Sequence, residues 1–254
     1  MRFLQISGRI SFASFLVAAA IGLAASLGTR WSYWDYRTGL LAIFPVCLYF
    51  AAAAFIAGAG WLVTALVQNR ATGLRYGLTG FAGATVLLLI PLSAYVQSYG
   101  RPPIHDISTD IEHPPEFEAL LDQRDGATNP PEYDGADRVT FQGRVYATSQ
   151  LQKKYYPEIH TIGQLMPPER LFLRALAAAR AMGWTIIAVV PDEGRIEATD
   201  TTLFFGLVSD IAIRVKPSGM GARLDIRAKS RVGQADGGRN AGLIRAYVRQ
   251  LASS

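Results

Sequence analysis

Three long stretches without a charged side chain fill most of the first hundred residues, and few folds accept such stretches. Ile10–Gly28 holds 19 uncharged residues, Thr38–Val67 holds 30 and Tyr76–Val96 holds 21. At about 1.5 Å of rise per helical residue, even the shortest reaches about 28 Å, close to the hydrocarbon thickness of a bilayer. They read as three transmembrane helices, at 10–28, 38–67 and 76–96, with Pro45 and Pro91 as places where the second and third can bend. No Asp, Glu, Lys, Arg or His lies inside a span. Ion-coupled transport uses ionisable groups at membrane depth, so the spans are expected to anchor rather than to transport. Small residues at helical spacing, Ala18 with Gly22 and Gly80 with Ala84, suit close helix packing.

The loop Trp31–Arg37 (WSYWDYR) packs four aromatic rings between the first two spans, as an interfacial belt does. A cleavable signal peptide competes for the first span, because a basic start precedes an apolar run ending in small residues; two further spans favour a retained helix. Four arginines (Arg2, Arg9, Arg70, Arg75) fall on the N-terminal side of the membrane, against Arg30, Arg37 and Arg101 on the other. The positive-inside rule then predicts a multi-pass protein of the cytoplasmic (inner) membrane with a cytoplasmic N-terminus and a periplasmic C-terminal half. The single cysteine, Cys47, lies inside a span, which excludes an intrachain disulfide and reads as a buried structural thiol.

The net charge of +5 is carried by residues 1–100, which hold six arginines and one acid, Asp35; beyond them 19 bases face 19 acids. The basic balance is therefore a topology signal, and nucleic acid is not an expected partner. The soluble half is itself divided. Residues 101–137 form an acidic, proline-rich leader with two arginines against ten Asp or Glu, whereas residues 138–254 carry 17 bases against nine acids. Such a leader either stays solvated as a linker or lies down on the domain it complements, and Ile104, Ile107, Phe117, Leu120 and Leu121 give it apolar grip.

Within residues 138–254, PPERLFLRALAAARAMG reads as a helix with prolines in its first turn and Gly183 just past its end. WTIIAVV, RIEAT, IAIRVK and RLDIRAKSR read as strands joined by the turns PDEG and SGMG, and a final helix covers about Arg239 to Leu251. This order predicts an α+β soluble domain, an antiparallel sheet flanked by helices on one face, following an all-α transmembrane region. Alternation points Ile196, Ala198, Ile211, Ile213, Val215, Leu224 and Ile226 at the helices. It points Arg195, Glu197, Arg214, Lys216, Arg223, Asp225, Arg227, Lys229 and Arg231 away from them, onto a face expected to be exposed and basic.

Three stretches carry a resemblance: RPPIHDISTD at residues 101–110, RIEATDTTLFFGLVSDIAIRV in the middle and LDIRAKSRVGQADGGRNAGLIR near the end. Over about residues 101–254 the chain resembles the domain of unknown function 1499 family, for which the resemblance implies no reaction or ligand. It implies that Asp200, Asp210, Arg214, Asp225, Arg227, Ser230, Arg231, Asp236 and Asn240 occupy the family's typical positions, and these are the candidate ligand-binding residues. Ala228 departs from the polar serine more usual there, which puts a hydroxyl role at that point in doubt.

Dedicated chemistry is sparse. His105 and Asp106 are adjacent in an extended segment and point to opposite sides, so they are poorly placed to pair. His105, His113 and His160 show none of the HExxH, CxxC or DxDxDG spacings, so no metal is expected and no cofactor is implied. GxSxG, Walker and GxGxxG motifs are absent from the sequence. In SRVGQADGGRN, residues 230–240, glycine turns lead into a helix whose free N–H groups, with Arg231 or Arg239, suit an anion; Asp236 as a helix cap or as Arg231's partner is the structural alternative. The leading expectation is a binding or assembly module beside the lipid bilayer, contacting anionic lipid or an envelope ligand through the basic face and this loop. One rival is an envelope enzyme with Asp200, Asp210 and Asp225 as acid or base and Arg214, Arg227 and Arg231 as clamps. Another is a structural role exerted through helix contacts with a membrane partner that the sequence does not identify.

Overall fold

The computed structural model describes residues 2–69 and 72–253; Arg70 of the positive-inside count lies outside the described residues. The chain divides into two compact units, Met1–Gln97 with Leu203–Gly206, and Ser98–Thr202 with Leu207–Ser254.

The first unit is helical. Helix α1 spans Arg2–Arg30, a π-helical segment Arg37–Ile43 leads into α2 at Phe44–Val67, and α3 spans Leu74–Ser98. All three are long and apolar enough to cross a membrane. Pro45 lies where the π-helical segment passes into α2, inside one helical span Arg37–Val67. Pro91 lies inside α3. Small side chains set the contacts between helices: Ala18 and Ala84 are fully buried, and Ser11 Oγ donates to the Ala54 carbonyl at 2.8 Å. A methyl group on Gly77 would collide with the Trp61 ring, and one on Gly80 with the backbone around Ser11.

The second unit is built on an antiparallel sheet of six strands. These are β1 (Asp106–Ser108), β4 (Ile162–Gln164), β5 (Thr185–Val190), β6 (Arg195–Thr201), β7 (Val208–Ser218) and β8 (Gly221–Ser230), in the order β1-β8-β7-β6-β5. Strands β1 and β4 share the outer edge of β8, at 227–229 and 222–224 respectively. The strands β2 (Arg138–Phe141) and β3 (Arg144–Ala147) form a separate hairpin, followed by α4 (Thr148–Tyr155). Helices α5 (Pro168–Ala181) and α6 (Arg239–Ser253) lie on one face of the sheet. Their amphipathic stripes bury Leu171, Phe172, Ala175, Ala241, Ile244 and Tyr247 against Ile196, Ala198, Ile211, Ile213, Leu224 and Ile226. Tyr247 stacks on Trp184 and donates its hydroxyl to the Ala175 carbonyl at 3.1 Å, so the largest polar atom in this core is satisfied.

The helix faces and strand alternation follow the sequence expectation, and Gly183 takes a positive φ of 73° just beyond α5. The opposite sheet face does not follow it. The leader is no detached segment: its residues 106–108 are strand β1, and residues 109–137 run across the polar face of the sheet. Phe117 and Leu120 form a second small core there with Ala212. Glu197, Asp225, Arg227 and Lys229, expected at an exposed basic surface, are at most 1 % exposed, as is Asp210 beside them. The physical reason is charge complementarity between a leader rich in carboxylates and a strand face rich in cations, which removes both from water together. The free edge of β1 is closed as well, because the Gln152 amide of α4 donates to the Ser108 carbonyl at 2.6 Å and accepts from its N–H at 3.1 Å.

Candidate functional site

Strand pairing aligns the charges before any side chain chooses a partner. Register places Asp106 beside Lys229, Lys229 beside Asp210, Asp225 beside Arg214 and Ser108 beside Arg227, all on the leader-covered face. Arg227 forms a two-pronged pair with Asp106, Nε to Oδ1 at 2.9 Å and Nη2 to Oδ2 at 2.8 Å. Its guanidinium lies 4.5 Å from the centre of the Phe117 ring and donates to the Pro131 carbonyl at 2.8 Å. Lys229 reaches Asp134 at 2.6 Å, Asp106 at 3.4 Å and the Glu132 carbonyl at 2.5 Å. Each cation is thus held by a leader carboxylate and by leader carbonyls, which is what a desolvated charge requires.

Glu197 is a residue that the sequence reading left on the surface and that proves central. Its carboxylate accepts the N–H groups of Glu118, Ala119 and Leu120 at 3.1, 3.0 and 2.9 Å and pairs with Arg195, so it fastens the leader's turn to the sheet. Its strand parity, shared with Arg195, was the available signal. That three leader amides would converge on it depends on how the leader folds.

The nine candidate residues do not gather into one site. Asp210, Arg214, Asp225, Arg227 and Arg231 lie on the leader-covered face: Asp210 pairs with Arg124 and Arg231, and Asp225 pairs with Arg214 at 3.1 Å while accepting from Thr161 at 2.6 Å. Asp200, Ser230, Asp236 and Asn240 lie around the start of α6. There Asp200 pairs with Arg239, and the Asn240 amide donates to Ser230 Oγ at 3.0 Å and to the His105 carbonyl at 2.7 Å. Asp236 accepts the N–H groups of Gly238 and Asn240 at 2.7 and 2.8 Å. Burial pushes its carboxyl above the ordinary value, although these amides oppose that rise. The cap fills the helix N-terminus that was one of two readings for an anion site, and Arg231, offered as Asp236's partner, turns to Asp210 instead.

The two other features singled out in the sequence do meet. A cavity of about 380 Å³ is bounded by Pro103–Asp106, Asp134, Asp137–Thr140, Thr148 and Gln234, so His105 and the loop before α6 share a wall. His105 and Asp106 do not pair with each other. His105 Nε2 lies 3.0 Å from Asp134 Oδ2, and Nδ1 lies 3.1 Å from the Gln234 carbonyl, an acceptor to which it must donate. Burial alone would lower the histidine, but Asp134 and the Gln234 carbonyl outweigh it and hold the imidazole above its ordinary value. Burial would likewise raise Asp134, yet His105 and Lys229 hold it below the usual carboxylate range. His105 thus sits between Asp134 and the loop before α6. Among the described residues no group of three or more His, Cys, Asp or Glu is placed to hold a metal ion.

Two outcomes follow from this network. Arg227→Met leaves the buried Asp106 with only the Lys229 ammonium, at 3.4 Å, as a charged partner and is expected to cost about 3–5 kcal/mol, whereas Arg227→Met with Asp106→Leu recovers most of the loss; chemical denaturation of the detergent-solubilised chain measures both. The raised His105 contributes stability that is fully present below its unfolded value near 6.5 and is lost as pH rises through its higher folded value. The lowered Asp134 contributes in the opposite sense, losing its share as pH falls through its folded value. Thermal unfolding of wild type against His105→Gln between pH 5 and pH 9 should therefore show an alkaline decline that the variant lacks.

No curated protein matches this chain. A crystal structure of a protein from Chromobacterium violaceum is similar at 20 % identity over 37 % of this chain and 94 % of that one, with a TM-score of 0.27. A family described as "Protein of unknown function (DUF1499)" matches residues 106–251, starting at the aspartate that pairs with Arg227 and taking in the leader as well as the sheet and helices. The chain belongs to this family of proteins of unknown function.

Proposed function

We propose that this is a multi-pass protein of the cytoplasmic membrane whose α+β unit serves on the periplasmic side as a binding or assembly module, not as an enzyme. The observation that carries this reading is the commitment of each candidate carboxylate to a structural partner. Asp200 is held by Arg239, Asp210 by Arg124 and Arg231, and Asp225 by Arg214 and Thr161. The acid-base rival needs two of these carboxylates to converge in one pocket. Instead Asp200 lies at the start of α6, while Asp210 and Asp225 lie under the leader. The reading invokes no cofactor and no nucleic acid. Its periplasmic side is supported by the arginine balance around the spans.

The basic sheet face is withdrawn as the ligand surface, because Arg227 and Lys229 are already neutralised from within.

Sidedness is tested with Cys47→Ala, Met220→Cys, since Met220 is 97 % exposed at the β7–β8 turn. A membrane-impermeant maleimide should label it in cells whose cytoplasmic membrane is intact; labelling only after lysis overturns the periplasmic placement. The non-enzymatic reading is tested with Asp200→Asn, Arg239→Gln, which removes an ion pair as a unit. It should restore wild-type behaviour to cells lacking the protein, whereas loss of a general acid or base would lower turnover by about 10²–10⁴.

A further inference from the structure

Some basic residues of the second unit are paired and others are not. Arg195, Arg214, Arg227, Lys229 and Arg231, on or beside the sheet, each contact a carboxylate, whereas the exposed Arg138, Arg170, Arg180, Lys216 and Arg249 have no carboxylate within ion-pair distance among the described residues. Arg144 on the β2–β3 hairpin and Lys153 and Lys154 on α4 are exposed, and among the described residues no carboxylate lies within ion-pair distance of them. They form one surface. Arg144 and Tyr146 lie on the same side of β3, and Lys154 Nζ sits 5.6 Å from the centre of the Tyr146 ring and 5.4 Å from that of Tyr155. Gln142 and Gly143 both take positive φ, 49° and 74°, which closes a two-residue turn, and the partly buried Tyr146 and Tyr155 rings also pack against the core. Glu158, the acid nearest to Lys154 in sequence, is paired with Arg245 instead.

Pro103 lines the same cavity as Arg138, Val139 and Thr140 of β2, and Pro103 is five residues beyond Ser98, where α3 ends. Five residues span at most about 18 Å of extended chain.

We propose that the β2–β3 hairpin and α4 dock on the anionic lipid headgroups of the bilayer that the apolar helices cross, through Arg144, Lys153 and Lys154 with Tyr146 and Tyr155 at the interface. Clustered Lys and Arg close to a membrane-spanning helix are attracted to anionic headgroups, each strengthening the contact about five-fold, and tyrosine suits the headgroup level. The inference rests on the membrane-module reading only for the embedding of the helices. It replaces the sheet face with a surface whose charges are not already spent.

The test uses the full chain with Cys47→Ala, Val145→Cys, because Val145 is 57 % exposed on β3. A fluorophore at that position is followed after reconstitution into vesicles carrying a spin label on the headgroup. Quenching should increase about two-fold or more from neutral vesicles to vesicles with about 30 % anionic lipid, and fall back in high salt. Arg144→Gln, Lys153→Gln, Lys154→Gln should abolish the increase, while Arg170→Gln, Arg180→Gln on α5 should leave it intact. Equal quenching in neutral and anionic vesicles, or an increase that survives the triple substitution, overturns the proposal. If quenching fails while Met220→Cys is still labelled from outside, only this surface is lost and the module reading stands.

Discussion

The soluble unit depends on the bidentate pair between Asp106 and Arg227. Asp106 begins the first strand of the sheet and Arg227 lies in the last strand, 121 residues later, so the pair fixes β1 against β8 and the leader above them. A guanidinium that is 2 % exposed at its side chain is tolerable only if its donors are filled and its faces covered. Two carboxylate oxygens and the Pro131 carbonyl fill donors, and Phe117 and Tyr133 cover the faces. Removing the leader would therefore expose a face whose charges are arranged for a partner and not for water.

The same arrangement explains why acidic and basic residues are segregated along the chain. Cations at alternate positions of β8 would repel one another if left alone, and carboxylates concentrated over residues 106–137 would repel one another in a free linker. Folding exchanges both repulsions for cross-layer attraction. His105 extends the network to its rim through Asp134, which it shares with Lys229. Most of the candidate residues in the family-like stretches are explained as members of these clusters or of the α6 cap.

The apolar helices obey a different rule. Lipid supplies little drive for helix association, so close approach depends on small side chains and on hydrogen bonds that satisfy hydroxyls. Ala18, Ala84 and Ser11 meet that need, and the Trp61 ring over Gly77, with its N–H given to the Thr72 carbonyl at 3.1 Å, meets it between α2 and α3.

Local chemistry made much of this protein legible. Charge-free runs long enough to span a bilayer, a 3.6-residue stripe in PPERLFLRALAAARA and period-two alternation in IAIRVK each express a geometry that neighbouring residues impose, and so the three helices, the α+β class and the helix-facing core could be read directly. The short elements could not. β1 and β4 are three residues each and carry no pattern of their own; they exist because β8 offers them an edge. Alternation correctly separated the two faces of the sheet but could not say what covers the second. Burying Arg227, Lys229 and Glu197 is unfavourable for each residue considered alone, and becomes favourable only when Asp106, Asp134 and the amides of residues 118–120 arrive from elsewhere in the chain. The sequence by itself determined which segments are apolar and which way side chains alternate, because those properties are local. Only the tertiary structure decided that the acidic leader is the second layer of the domain, because the cost of desolvating a charge is offset solely by a partner brought close through folding.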